Sequence, residues 1–497
     1  MVISTAKNTF YLFSAYVFQK IVALFYFIVL ARYLGAAGLG QYTFAFSFAA
    51  LFSILVDFGL SPVLIREISR DKDKSEIYLG NVLGFKLFSS LLGFGLIILM
   101  INLMGYPSMV KNLVYLASLV MILDNLSFSL YSTFRGYFNL KYESLGLIIQ
   151  KIVIVVSGAI FILLKAPLIV LILPVILGSL FYLINALILA KVKLHLPIEF
   201  HFNKEVLKLL LQISWPFFVT GIFAQIFGTA DTILLSYLGG DKFVGWYNAA
   251  QKIPVAVVGL IPAAFGATLF PSFSYYFVNS PIDLKRLLEK SIFYLTIIAL
   301  PIIIGGFILA DQIILLFYGQ DYQPSILTLK IFIWALFFMF LDYPLNGLLY
   351  ACNRQKPATF IRGVATAIFV ILNLILIPKY FQIGSAIAAL ISFFILFILE
   401  VYWTKKIVSL DKKYLFDKFS KILLASLAMG LLIILIQGQL PINKFLLIPL
   451  ILVSSLVYFL ILYLSGVLTK EEIKSVKDLV VPAKFSHLFL WTKPNLK

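Results

Sequence analysis

Eight ionisable side chains interrupt long apolar stretches of this chain: Lys20, Asp57, Lys86, Asp124, Lys151, Asp231, Lys252 and Asp342. A charge at the centre of a bilayer costs about 2.5–3.5 kcal/mol on insertion scales, so each one marks an ion pair or a transport pathway. Two chemistries follow from the residue types. Cations bind phosphate oxygens, arginine through a planar fork and lysine as a point charge. Carboxylates hold a proton or a cation, or balance a lysine. Lys20 sits mid-stretch, too deep to reach a surface, and either pairs with Asp124 or receives an anion. Asp231 and Lys252 lie at matching depths from one face and are expected to pair, as are Asp57 and Lys86. Asp342 is a further coupling or ion-pair candidate. Lys151, Arg66 and Arg135 lie close enough to the opposite face to meet a phosphate headgroup, and Arg32 ends the first stretch on the other side.

The elements that position these groups must be membrane helices. The chain is 62% hydrophobic and 12% charged, and its mean hydropathy is +1.03. A bilayer core of about 30 Å takes roughly 20 helical residues to cross. Fourteen spans are expected, at 10–31, 41–65, 78–103, 112–134, 144–164, 168–190, 209–238, 244–277, 290–310, 324–352, 358–378, 383–404, 419–437 and 444–466. The first run is too long for a signal h-region and ends at Arg32 without a small-residue cleavage pattern, so it reads as the first helix. The span at 244–277 carries Pro254, Pro262 and Pro271. Each removes a backbone donor, which suits a hinge.

Loop charge sets the expected orientation. Of the 40 lysines and arginines, 29 fall on the side of the N-terminus and 6 on the other, with the rest inside spans. Basic loops stay cytoplasmic, so both termini are expected there. The formal charge of +18 therefore reflects topology and attraction to anionic lipid rather than nucleic acid.

The chain also repeats itself. Arg32 to Ala45 reads RYLGAAGLGQYTFA, and Ser236 to Ala249 reads SYLGGDKFVGWYNA. A weaker echo pairs Phe138-Asn139-Leu140-Lys141 with Cys352-Asn353-Arg354-Gln355-Lys356. Both fit a six-helix unit used twice in the same topology, as in transporters that rock two bundles about a central cleft. The expected architecture is all-α: an N-terminal lobe at 1–195, a second lobe at 196–410, two added helices at 411–467 and a basic cytoplasmic tail at 468–497.

Several functions are disfavoured. There is no P-loop, no HExxH motif and no internal loop long enough for a catalytic domain, so no enzyme, cofactor or ATP drive is expected. The single Cys352 excludes an intrachain disulfide, and His195, His201 and His487 lie outside the apolar stretches. No metal site is expected.

The stretch ARYLGAAGLGQYTFAFSFAALFSILVDFGLSPVLIREISRD, the segment TADTILLSYLGG…VGWYNAAQKI and the fourteen spans together resemble the Wzx-type polysaccharide-biosynthesis flippases. These form the PST family of the multidrug/oligosaccharidyl-lipid/polysaccharide exporter superfamily. The resemblance covers essentially the whole chain. It implies a plasma-membrane protein that moves polyprenyl-diphosphate-linked oligosaccharide to the outer leaflet by alternating access, for O-antigen, capsule or exopolysaccharide assembly. With that cargo, the cavity cations Lys20, Lys252, Lys151, Arg32, Arg66 and Arg135 are candidate diphosphate ligands, with ion pairing or topology marking as the alternative, and the resemblance implies membrane lipids, a polysaccharide polymerase or chain-length proteins as partners. The competing readings are a cation-coupled multidrug antiporter of the MATE kind and a flippase for another envelope precursor such as lipid II. Against the antiporter, the first span carries Lys20 where a coupling site wants a carboxylate.

Overall fold

A computed structural model describes residues 2–197, 199–439 and 444–468, and among these every regular element is a helix. The helices are α1 (Val2–Asp57), α2 (Leu60–Arg70), α3 (Ser75–Leu103), α4 (Ser108–Gly136), α5 (Lys141–Leu163), α6 (Leu173–Lys193), α7 (Lys204–Leu238) and α8 (Asp241–Leu260). They continue as α9 (Pro262–Asn279), α10 (Pro281–Ile308), α11 (Ala310–Phe317), α12 (Ser325–Ala351), α13 (Gln355–Thr404), α14 (Lys412–Gln439) and α15 (Lys444–Leu464). The expected tail lies outside the described residues beyond Leu468, as does His487.

Eleven helical stretches are long and apolar enough to cross a bilayer, which makes this a multi-pass membrane protein. Two of them fold back on themselves. Gly35 in α1 takes φ +65°, a left-handed conformation that glycine adopts freely, and Leu30 packs in one cluster with Phe44 and Phe48 beyond the turn. In α13 the break falls at Phe381. There Ser385 donates to Asn373 Oδ1 at 2.8 Å, although twelve residues of straight helix would separate them by about 18 Å. With each hairpin counted as two, these stretches make thirteen crossings at expected spans, and the α8–α9 pair lies where the fourteenth is expected. The span at 244–277 is two helices rather than one kinked helix. Pro254 and Pro271 lie inside α8 and α9. Pro262 opens α9, because its missing N–H ends the hydrogen-bond ladder of α8.

Connections expected on one side come together. On the sparsely charged side, Ala36 N–H donates to Asp321 Oδ2 at 2.6 Å, Trp246 Nε1 to Asp321 O at 2.8 Å, Gln41 Nε2 to Asp241 Oδ2 at 2.8 Å and Tyr106 Oη to Ser236 Oγ at 3.1 Å. On the basic side, His201 N–H donates to Gly80 O at 3.3 Å and Asp411 N–H to Glu289 Oε1 at 2.7 Å.

The two sequence repeats meet each other. A Cβ on Gly40 would stand 1.8 Å from Asp241 O, and a Cβ on Gly245 would stand 1.9 Å from Ala36 O. Gly40 and Gly245 occupy equivalent Gly-x-Tyr positions, so the contact is reciprocal, as across a twofold axis. Small residues at such a crossing let backbones touch, and packing then drives association in lipid.

Near the α1–α2 break, Lys86 is fully buried. Its ammonium donates to Asp57 Oδ1 at 2.5 Å, Ser61 Oγ at 2.9 Å and Asn125 O at 3.2 Å, and Ser61 Oγ donates to Asp57 as well. All three lysine donors are used. The expected Asp57–Lys86 pair is therefore a fastener joining α1, α2, α3 and α4 where the backbone of the second crossing is interrupted.

Two outcomes follow. Gly245→Val is expected to push α1 and α8 apart at a cost of roughly 1–3 kcal/mol, read as a fall in Tm of the detergent-solubilised protein. Lys86→Met leaves Asp57 buried without its cation and is expected to cost about 3–5 kcal/mol, with Asp57→Asn in the same chain restoring part of the loss. Equal melting of the single and double variants would contradict the fastener.

Candidate functional site

Three lysines within the spans behave differently from Lys86. Lys20 on α1, Lys151 on α5 and Lys252 on α8 lie within electrostatic reach of one another. Among the described residues none of the three forms an ion pair. Lys252 Nζ stands 4.8 Å from the centroid of the Phe27 ring on α1, a cation–π contact. Lys20 is exposed, and its chain runs towards Gly259 on α8, where an added Cβ would meet Lys20 Cε at 3.4 Å and Nζ at 3.8 Å. Three like charges gathered with one carboxylate, Asp124, in reach of Lys151 form a focus of positive potential at membrane depth.

Two expected pairs are not formed. Lys20 does not pair with Asp124, because its side chain leaves α1 towards α8 rather than α4. Asp124 instead accepts from Gln150 Nε2 at 3.4 Å and lies within reach of Lys151. Asp231 does not pair with Lys252. It is 1% exposed and accepts from Tyr247 Oη at 2.7 Å, Gln251 Nε2 at 3.1 Å and Thr232 N–H at 2.6 Å. Tyr247 and Gln251, four apart, share the face of α8 turned to α7, whereas Lys252 is rotated by about 100° towards α1.

The arginines are engaged. Arg135 makes a two-pronged contact with Glu143, Nε at 2.7 Å and Nη2 at 2.5 Å, and Nη2 also donates to Tyr16 Oη at 2.8 Å. Arg66 pairs with Glu67 at 2.7 Å and is 41% exposed. Arg32 donates to Phe317 O at 2.6 Å and to Leu316 O, the last carbonyls of α11, where a cation suits the helix terminus. With Tyr322 Oη donating to Ala31 O at 2.8 Å, this makes Arg32 part of the seal on the sparsely charged side. Asp342 accepts from Arg362 Nη2 at 3.0 Å.

A cavity of about 610 Å³ opens among α10, α12, α13 and α14. Its walls include Phe293, Phe337, Phe397 and Phe419, and Lys405 and Lys412 also line it. Sequence reasoning missed Glu143, Arg362 and Glu400, because each falls near a span end and reads as a surface charge. It also missed Phe27 among the chain's 48 phenylalanines. Nothing in the local sequence distinguishes it.

The family model described as "Polysaccharide biosynthesis protein" matches residues 5–277, and the one described as "MatE" matches residues 216–375. The chain is 25% identical to the "Putative O-antigen transporter" of Shigella flexneri over 407 residues, covering 78% of this chain and 94% of that protein. It is 23% identical to the "Probable low-salt glycan biosynthesis flippase Agl15" of Haloferax volcanii, covering 82% and 85%. Among solved structures, "Lipid II flippase MurJ, inward closed conformation" superposes with a TM-score of 0.74 at 20% identity, covering 92% of this chain and 98% of that one. The fold is thus that of the exporter superfamily, and with more than half of its length matched the chain belongs to the polysaccharide biosynthesis protein family.

Proposed function

We propose that this protein carries a polyprenyl-diphosphate-linked oligosaccharide from the cytoplasmic to the outer leaflet of the plasma membrane, with both termini cytoplasmic. The observation that carries the reading is the trio Lys20, Lys151 and Lys252: three ammonium groups at depth on three helices, none in an ion pair and only Lys151 within reach of a carboxylate, that of Asp124. Gathering them is unfavourable until an anion arrives. A diphosphate brings the compensating charge and several acceptor oxygens. The relatives named for O-antigen transport and glycan flipping support the class of cargo. The apolar cavity beside α14 has the lining a polyprenyl chain requires.

Lys20 and Lys252 on α1 and α8 receive the headgroup. Lys151 is shared between cargo and Asp124. Arg66 and Arg135 stand nearer the basic face, each already held by a glutamate, and steer the anion rather than hold it. The reciprocal glycine crossing and the Arg32–α11 contacts close the far side. Opening there requires Arg32 to leave the carbonyls of α11, which frees it to meet the departing diphosphate. Rocking of the two bundles uses the break at Pro262, with Pro254 and Pro271 to either side as further bending points. Surface-polysaccharide polymerase or chain-length proteins take over the delivered cargo. The multidrug reading lacks its expected carboxylate in the first crossing, and transport of this kind involves no covalent chemistry.

Because Lys20 and Lys252 leave no carboxylate behind, Lys20→Ala and Lys252→Ala are expected to fold at normal abundance. Each removes a charge-assisted contact of about 1.5–3 kcal/mol, so flipping should fall roughly ten- to a hundredfold. The measurement is protection of a lipid-linked oligosaccharide from an impermeant reagent in proteoliposomes, and full flipping in both variants would exclude them from the headgroup site. For orientation, single cysteines at Lys111 and Lys165 in a Cys352→Ser background should react with an impermeant maleimide on intact cells. Those at Asp73 and Lys412 should react only after lysis, and the reverse pattern would invert the topology.

A further inference from the structure

A second cavity, of about 620 Å³, opens beside the first turns of α7. Phe58, Leu207, Leu211 and Trp215 line it, with Lys204 and Lys208 at its basic end. Lys204, Lys208, Leu211 and Trp215 follow one another at steps of four, three and four, which is one face of a helix. Trp215 is 57% exposed, and both lysines are exposed as well. Among the described residues no acidic side chain lines the cavity, and neither lysine forms an ion pair.

The other contacts of α7 fix the direction of this face. Ser214 and Phe218 turn to the break between α1 and α2. There an added Cβ on Gly59 would stand 2.9 Å from Ser214 O and 2.8 Å from Phe218 N, and the Phe58 ring stacks on Phe218 at 4.1 Å. Thr220 and Phe223 turn to α13, where Thr220 meets Thr359 at 3.1 Å and the Phe223 carbonyl accepts from Thr366 at 3.3 Å. Asp231 turns to Tyr247 on α8. At about 100° per residue, the stripe from Lys204 to Trp215 is left on the side of α7 opposite α8, between α2 and α13. That side is turned away from the lysine trio and towards the lipid.

The dimensions match one leaflet. From Lys204 to Trp215 the helix rises about 16 Å, roughly half of a hydrocarbon core of about 30 Å. The charge is confined to one end of the groove, and the rest of its length is apolar. An amphipathic anion complements that pattern, whereas a soluble anion would leave the apolar walls uncovered. The basic face is cytoplasmic in the reading given above, on which this inference rests, and anionic headgroups are concentrated in that leaflet.

We propose that the groove binds one anionic phospholipid of the inner leaflet, its phosphate on Lys204 and Lys208 and an acyl chain along Leu207, Leu211, Trp215 and Phe58. Phe58 belongs to the first half of the chain and α7 to the second, so the lipid touches both sides of the joint at Gly59. It is a resident lipid at a site separate from the cargo site.

The test uses the full chain in nanodiscs, without cargo. Chain-brominated lipid quenches a nearby indole, and the Trp215 share of the signal is the difference between the natural chain and Trp215→Phe. Brominated phosphatidylglycerol in a phosphatidylcholine bilayer is compared with brominated phosphatidylcholine at the same mole fraction. The natural chain should prefer phosphatidylglycerol roughly ten- to thirtyfold. The preference should fall to near unity in Lys204→Gln/Lys208→Gln, where both substitutions lie on exposed side chains. Leu211→Phe, which fills the groove and keeps both lysines, should lose most of the preference as well. A preference near unity in the natural chain, or one that survives the double lysine variant, overturns the proposal. So does a preference undiminished by Leu211→Phe, which would mean attraction to surface charge alone. Trp215 unquenched by either lipid would mean that another protein surface, such as a second copy, covers the groove, and overturns it too. The readout involves neither cargo nor flipping, so failure here is separable from failure of the lysine-site reading.

Discussion

The reciprocal contact of Gly40 with Asp241 O and of Gly245 with Ala36 O is the constraint on which the arrangement of the two bundles depends. Apolar side chains gain nothing by leaving lipid for one another, so association in a membrane rests on close packing and polar contacts. The absence of a Cβ at both positions lets two backbones touch. Once they touch, Ala36 N–H reaches Asp321, Arg32 reaches the end of α11 and Tyr322 reaches Ala31. Each of these bonds joins the first hairpin of the chain to its second half. One side of the protein is sealed by that set, and α1 and α8 then stay close enough for Lys252 to rest on Phe27 and Lys20 to approach Gly259.

The buried charges divide by how fully they are satisfied. Lys86 spends all three donors, Asp231 accepts three bonds and Arg135 is forked onto Glu143. Removing any partner there exposes a full desolvation cost, so these groups hold the bundles in shape. Lys20, Lys151 and Lys252 are left with mutual repulsion, one ring face and Asp124 within reach of Lys151. The first set holds the helices that carry the second, and Lys20 and Lys252 are left outside any ion pair. The proposed headgroup site rests on that difference, since a lysine already paired offers nothing to a cargo.

Much of this was legible in the residues. Hydropathy and length determined the fourteen crossings, because the bilayer imposes one solvent and one thickness on every element. The repeated Tyr-Leu-Gly and Gly-x-Tyr pattern marked the two hairpins that meet, and depth matching identified the Asp57–Lys86 pair. Tertiary structure alone decided which way each buried side chain faced. Asp231 and Lys252 match in depth as well as Asp57 and Lys86 do, yet a one-residue step on α8 rotates Lys252 by about 100° and sends it to α1. Lys20 faces α8 and not Asp124 for the same reason. Glu143 and Glu400 read as surface charges because they sit near span ends; neighbouring helices bury them to 1% and 2% exposure. Depth is a property of sequence position along one helix, whereas azimuth and burial depend on which helices become neighbours.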